Sequence, residues 1–156
     1  METAQAKVKY QLLWQGTRDG FAASTFHSKC NGKNATVTVI VSNFDKIFGG
    51  YTSESWGYNS GHKYDATAFI YSLTNKAKCA KQLNTSYSIH DHSGYGPVFG
   101  GGADICILDN CNTNTGNACN SNHTYELPPG ADKTTFMAGA YNFTVKEIEV
   151  YQVIKS

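Results

Sequence analysis

The chain has 156 residues and carries 13 Lys+Arg against 12 Asp+Glu, a formal charge of +1 with no basic run; this excludes a surface built to grip a phosphate backbone or an anionic membrane. At about 100–200 residues per domain, residues 1–156 form one domain large enough for a core of its own. Only 16% of the residues are charged and only six are Leu, whereas Tyr, Phe, Thr, Val, Asn and Gly are plentiful, a composition that favours strands and turns over helices. The first element, VKYQLLWQ at 8–15, reads as a strand running into a turn at Gly16-Thr17-Arg18. The spacing then predicts a helix over 19–30, with Asp19 as its N-cap, apolar residues at 21, 22 and 26, and Asn31-Gly32 as a left-handed stop. ATVTVIVS at 35–42 is β-branched at nearly every position and predicts a strand buried on both faces or nearly so. Further strands are expected at 47–53, 65–73, 86–92, 103–109, 123–127 and 142–153, the recurrence of an all-β sandwich or barrel. In the last of these the apolar positions change phase, and a bulge near 146 accounts for the change. Residues 110–122 hold six of the 13 Asn and read as a surface loop.

Met1 to Lys9 lacks the apolar centre of a secretory leader, and no run approaches the ~18 apolar residues of a membrane span. The expected location is the cytoplasm, with any attachment to organelle membranes made through a protein partner. The five cysteines, at 30, 79, 106, 111 and 119, are an odd number that suits reduced thiols better than a disulfide framework. Asn-x-Ser/Thr sequons at Asn34, Asn84, Asn122 and Asn142 matter only in a secretory compartment.

Several constellations resemble chemical sites, and each has a plainer explanation. Gly49-Gly50-Tyr51 and Gly100-Gly101-Gly102 lack the spacing of a phosphate-cradling loop; glycines inside strands mark bulges or places where a ring lies on the backbone. Asp109, Asn110, Asn112 and Asn114 alternate oxygens as a calcium loop does, but the frame puts Thr115 where Gly belongs and Ser121 where a bidentate Glu belongs. Cys106, Cys111, Cys119 and His123 are zinc-like in type, yet no C-x-x-C pair is present. His90 and His92 share one face of a strand, as an acid-base or metal pair would. Glu147 and Glu149 share a face as a pair of glycosidase carboxylates would, with nothing else resembling a sugar cleft. No catalytic constellation and no cofactor is called for.

Taken in order, LLWQGTRDGFAASTFHSKCNGKNATVTVIV, FGGYTSESW, DATAFIYSL, FGGGADICILDNCN, HTYELPPG and AGAYNFTVKEIEVYQV resemble the TLDc domain from about Leu12 to Val153. The most specific pieces are Gly20-Phe21, FGGYTSESW, FGGG followed by Asp104, and FTVKEIEVYQV. The resemblance implies a mostly-β fold, a sandwich of two antiparallel sheets with one or two flanking helices. It also implies a non-catalytic, protein-binding domain linked to oxidative-stress resistance and to the vacuolar-type proton-pumping ATPase. Structural or docking importance is thereby expected for Gly49, Gly50, Tyr51, Trp56, Gly100, Gly101, Gly102, Asp104, Glu147 and Glu149. The chain begins almost at LLWQG, so the expectation is a TLDc core without the N-terminal part that longer members carry. Two further readings stand beside this one: a sugar- or small-ligand-binding sandwich using Tyr51, Trp56, Tyr58 and Tyr64, and a thiol redox enzyme using Cys30 and Cys79, whose neighbouring lysines would lower the thiol pKa.

Overall fold

The period-2 alternation of the chain's two ends brings them together as neighbouring strands. In the structure, a computed structural model that describes residues 7–57 and 61–155, β1 (Val8–Gln15) pairs antiparallel with β12 (Val145–Lys155). β12 in turn pairs with β2 (Thr36–Ser42), and the sheet continues through β3 (Ile47–Thr52), β5 (Phe69–Ser72) and β6 (Ala77–Cys79) in the order β1-β12-β2-β3-β5-β6. The second sheet runs β11 (Asn142–Phe143), β10 (Asn117–Ala118), β9 (Ile105–Cys106), β8 (Val98–Phe99), β7 (Ile89–Asp91) and β4 (Gly61–Lys63). Every pairing in both sheets is antiparallel. The molecule is therefore the expected two-sheet, mostly-β architecture with two short helices, α1 (Gly16–Asp19) and α2 (Ala23–Cys30). No helix among the described residues is long and apolar enough to cross a membrane.

The core is an aromatic chain between the sheets. Trp14 of β1 packs on Phe26 of α2 at 5.4 Å, Phe26 meets the edge of Trp56 at 5.5 Å, and Trp56 meets the edge of Phe99 at 5.9 Å. All four rings are almost wholly buried. Edge-to-face contacts of this kind add to the stabilisation from burial because the ring edge is positive and its face negative. His27 ties α2 to the second sheet, its Nε2 lying 2.9 Å from the carbonyls of His92 and Tyr95.

Five expectations require correction. The single helix over 19–30 is two helices, because Gly20 adopts φ +103° and interrupts the right-handed path. Asp19 is not the N-cap of α2; its Oδ2 accepts the Gln15 N–H at 3.0 Å and closes α1. The N-cap position of α2 is Ala22, whose methyl offers no acceptor, and the carboxylate of distant Asp109 accepts the Ala23 N–H at 2.8 Å instead. Gly32 does take the left-handed conformation expected just beyond this helix, at φ +76°.

β2 is fully buried on one face only, and that face carries its hydroxyls. Thr36, Thr38, Ile40 and Ser42 point inward, while Val37, Val39 and Val41 are half-buried on the outer face. The inward hydroxyls act as specific partners: Trp56 Nε1 donates to Thr36 Oγ1 at 3.1 Å, and Ser42 Oγ donates to the Ala138 carbonyl at 2.7 Å. Residues 123–127 form no strand, only an isolated bridge between Tyr125 and Gln82. The N–H groups of Thr124 and Tyr125 go to the Asp104 carboxylate, both at 3.0 Å, instead of to a ladder. The Asn-rich stretch is not wholly surface: Cys111, Asn117, Ala118 and Cys119 are buried and 117–118 is β10. Asn117 Nδ2 donates to the carbonyls of Cys111, Asn114 and Phe143. The bulge near 146 is present, as a register shift of β12 against β2 between Val145 and Glu147.

Candidate functional site

The two glycines of FGGY make opposite faces of one strand. Gly49 faces outward, and there the Tyr71 ring crosses the strand so that its hydroxyl donates to the Thr38 carbonyl at 2.6 Å. A Cβ on Gly49 would lie 1.8 Å from that carbonyl oxygen and 2.7 Å from the tyrosine oxygen. Gly50 faces inward, where a Cβ would lie 2.7 Å from the Phe99 ring. Close ring-on-backbone packing is thus what both glycines permit. Trp56 is wholly enclosed in the core.

The FGGG segment is a turn held by Asp104. Gly100 takes φ +85° with the Asp104 carboxylate beside it, Gly101 lies against Tyr87 and His123, and Gly102 lies under the His123 ring. Burial pushes the Asp104 carboxyl up against the pull of its backbone donors, and its Oδ1 has no hydrogen-bond partner among the described residues. Asp65 has the opposite balance. Burial raises it, but Thr52 Oγ1, the Ser53 N–H and Oγ, and the Thr67 N–H and Oγ1 all donate to it at 2.7–3.0 Å, and together they hold it below the usual carboxylate range.

The other polar candidates are engaged by the fold itself. Glu147 accepts the Thr17 N–H at 3.1 Å and the Thr17 hydroxyl, anchoring the first turn of α1. Glu149 accepts the Tyr151 hydroxyl at 2.8 Å. Asp109 caps α2, and Asn114 closes its own turn by accepting the Gly116 N–H at 2.8 Å and donating to the Asp109 carbonyl at 3.1 Å. Asn110 takes φ +51° at this turn, and Asn112 is exposed. Among the described residues no group of three or more His, Cys, Asp and Glu is placed to hold a metal ion, the set of Cys106, Cys111, Cys119 and His123 included.

The five cysteines are free. Burial raises the Cys30 thiol to about 12 and raises Cys79 as well. A redox nucleophile needs the reverse, a thiolate favoured at neutral pH, so Lys29, Lys78 and Lys81 do not activate these thiols. The sugar-stacking set is likewise dispersed: Trp56 is enclosed, Tyr64 is 52% exposed, Tyr51 is half-buried, and Tyr58 lies outside the described residues.

The histidines form a strip on the second sheet. His62 and His90 are cross-strand partners of β4 and β7 whose rings stack 4.3 Å apart, and His92 approaches His90 at 5.8 Å. His62 also meets the edge of Tyr87 at 4.9 Å, and Tyr87 meets His123 at 5.8 Å. Burial lowers the pKa of His62 and of His90, and the neighbouring imidazoles lower both further.

The outer face of the first sheet holds a groove of about 400 Å³. Five strands build it at one level. β1 supplies Val8 and Tyr10, β12 supplies Val153 and Lys155, β2 supplies Val37, β3 supplies Tyr51 and β5 supplies Phe69, with Thr67 at the end. The register places them together: Val8 opposite Lys155, Tyr10 opposite Val153, Val37 opposite Tyr51 and Tyr51 opposite Phe69. Tyr51 and Phe69 stack at 5.3 Å, and Tyr10 and Val8 are 63% and 45% exposed. Of the expected site residues only Tyr51 lies here. The rest of the lining was missed because it comes from strands distant in sequence; the signal was that β1, β2 and β12 carry apolar residues on both faces.

A family model, the TLDc domain, matches residues 1–154. No curated protein matches the chain. With 154 of 156 residues inside the family model and the two-sheet fold in place, the chain belongs to the TLDc domain family.

Proposed function

We propose that this TLDc domain is a non-catalytic docking module that binds a large protein assembly in the cytoplasm, with the vacuolar-type proton-pumping ATPase as first candidate and oxidative-stress resistance as the setting. The observation that carries the reading is the apolar, aromatic groove on the outer face of the first sheet. A monomeric surface gains nothing from keeping such side chains in water, and contiguous apolar patches mark places where another molecule binds. Aromatic residues suit that role because they bring large contact area with little rotamer entropy to lose. The polar candidates support it from the other side: Glu147, Glu149, Asp65 and Asp109 are each committed to backbone or hydroxyl donors of the fold.

Native co-purification from extract containing membranes, followed by mass spectrometry, tests the reading. Recovery of several pump subunits together is the expected result. Their absence under nucleotide conditions that let the pump come apart removes the pump as partner.

A further inference from the structure

The groove has a charge character that narrows what can fill it. Phe69 holds Lys78 Nζ 4.3 Å above its ring centroid, and Lys155 forms part of the wall. Among the described residues neither lysine lies within ion-pair distance of a carboxylate, and none of them places a carboxylate in the groove lining. Burial, and after it the charge of Asp65, raises the Tyr51 hydroxyl pKa, but the Asp65 oxygens already receive five donors. The acids of this face, Glu147 and Glu149, lie toward the other end of β12 and are engaged with Thr17 and Tyr151.

We infer that the groove receives an acidic segment of a protein partner, one that seats an aromatic or aliphatic side chain on Tyr51 and Phe69 and sets carboxylates against Lys78 and Lys155. This rests on the docking reading and names the partner's chemistry. An apolar anchor removes the Tyr51–Phe69 surface from water, while the flanking carboxylates meet cations that no described carboxylate pairs with. A basic segment meets like charge at Lys155 in the wall and at Lys78 beside Phe69, and is rejected. A second copy of this chain fits poorly, since a two-fold contact centred on the groove turns the same lysines toward each other.

The test pans a phage-displayed library of random 12-residue peptides against the full chain, then measures a synthetic peptide of the enriched sequence by fluorescence anisotropy. The expected peptides carry Asp or Glu on both sides of Trp, Phe or Leu. Their affinity falls about tenfold or more in Lys78→Glu/Lys155→Glu and in Phe69→Ala, and falls with added salt. Both lysines are exposed, so the charge reversal leaves the melting curve in place. No enrichment, enrichment of neutral or basic peptides, or binding indifferent to these substitutions overturns the inference. Capture of the purified pump equally by wild type and by the reversed variant rejects the groove while leaving the docking reading intact. Acidic enrichment abolished by the reversal, without capture of the pump, supports the groove and removes the pump as its occupant.

Discussion

The two sheets of this sandwich are specified in different ways. The first is built on long strands, β1, β12, β2 and β3, whose ladders run past two bulges, with seven paired positions between β12 and β2 and six between β2 and β3. The second is made of strands of two or three residues, joined by as little as one paired position. What the second sheet lacks in ladder it gains from side chains that reach the backbone: Asp104 takes the Thr124 and Tyr125 N–H groups, Asn117 serves three carbonyls, and Asp91 accepts the Gly57 N–H. Their outer faces differ in chemistry as well. One bears an apolar groove lined by Lys155 and flanked by Lys78 over Phe69, the other a strip of stacked imidazoles. A sheet with a strong ladder can leave an apolar outer face for a partner, whereas a short-stranded sheet depends on each buried polar contact being made.

Trp56→Ala strikes the aromatic chain that both sheets share, and about 3–5 kcal/mol of stability is lost, read as a fall in urea midpoint. Gly49→Ala affects the strong sheet where a backbone atom blocks any Cβ. The new methyl meets the Thr38 carbonyl, a backbone atom that cannot turn aside, and the expected cost is about 3 kcal/mol in the same assay. Asn117→Ala probes the weak sheet. Three carbonyls lose their donor, two of these bonds being fully buried, and the loss is about 2–3 kcal/mol, with amide exchange rising first around β9, β10 and β11.

A smaller effect concerns pH and belongs to the second sheet alone. The folded pKa values of His62 and His90 are depressed below their unfolded value of about 6.5. The unfolded chain therefore binds more protons on acidification, and the stability contributed by the neutral rings is complete above that pH and is lost as pH falls through the folded values. Melts at pH 7.5 and 5 should show this loss, and His62→Gln/His90→Gln should flatten it; solvent screening keeps it modest. Phe69→Ala, in the groove, is the mildest change for the fold. It removes one cross-strand aromatic pair and costs under about 1 kcal/mol.

Legibility followed the same division. β1, β3 and β12 emerge near their observed bounds because period-2 alternation and β-branched runs extend over six or more residues. β2 emerges too, but its inward face could not be chosen from pattern: Thr36, Thr38 and Ser42 enter the core because Trp56 and the Ala138 carbonyl wait there for hydroxyls. β4, β6, β8 and β10 are too short to carry a periodic signal. The break at Gly20 and the remote cap from Asp109 are tertiary facts that local spacing does not hold. The aromatic-over-glycine reading of FGGY was available from composition, whereas the groove needed the register of five strands.

The most direct measurement is the binding of purified vacuolar-type ATPase to the wild-type chain and to Tyr51→Glu/Phe69→Glu, with melting temperature followed for both. The account predicts that the pump binds the wild type and that the substitution abolishes binding while the chain stays folded. Equal binding by both folded proteins, or none by either, contradicts it.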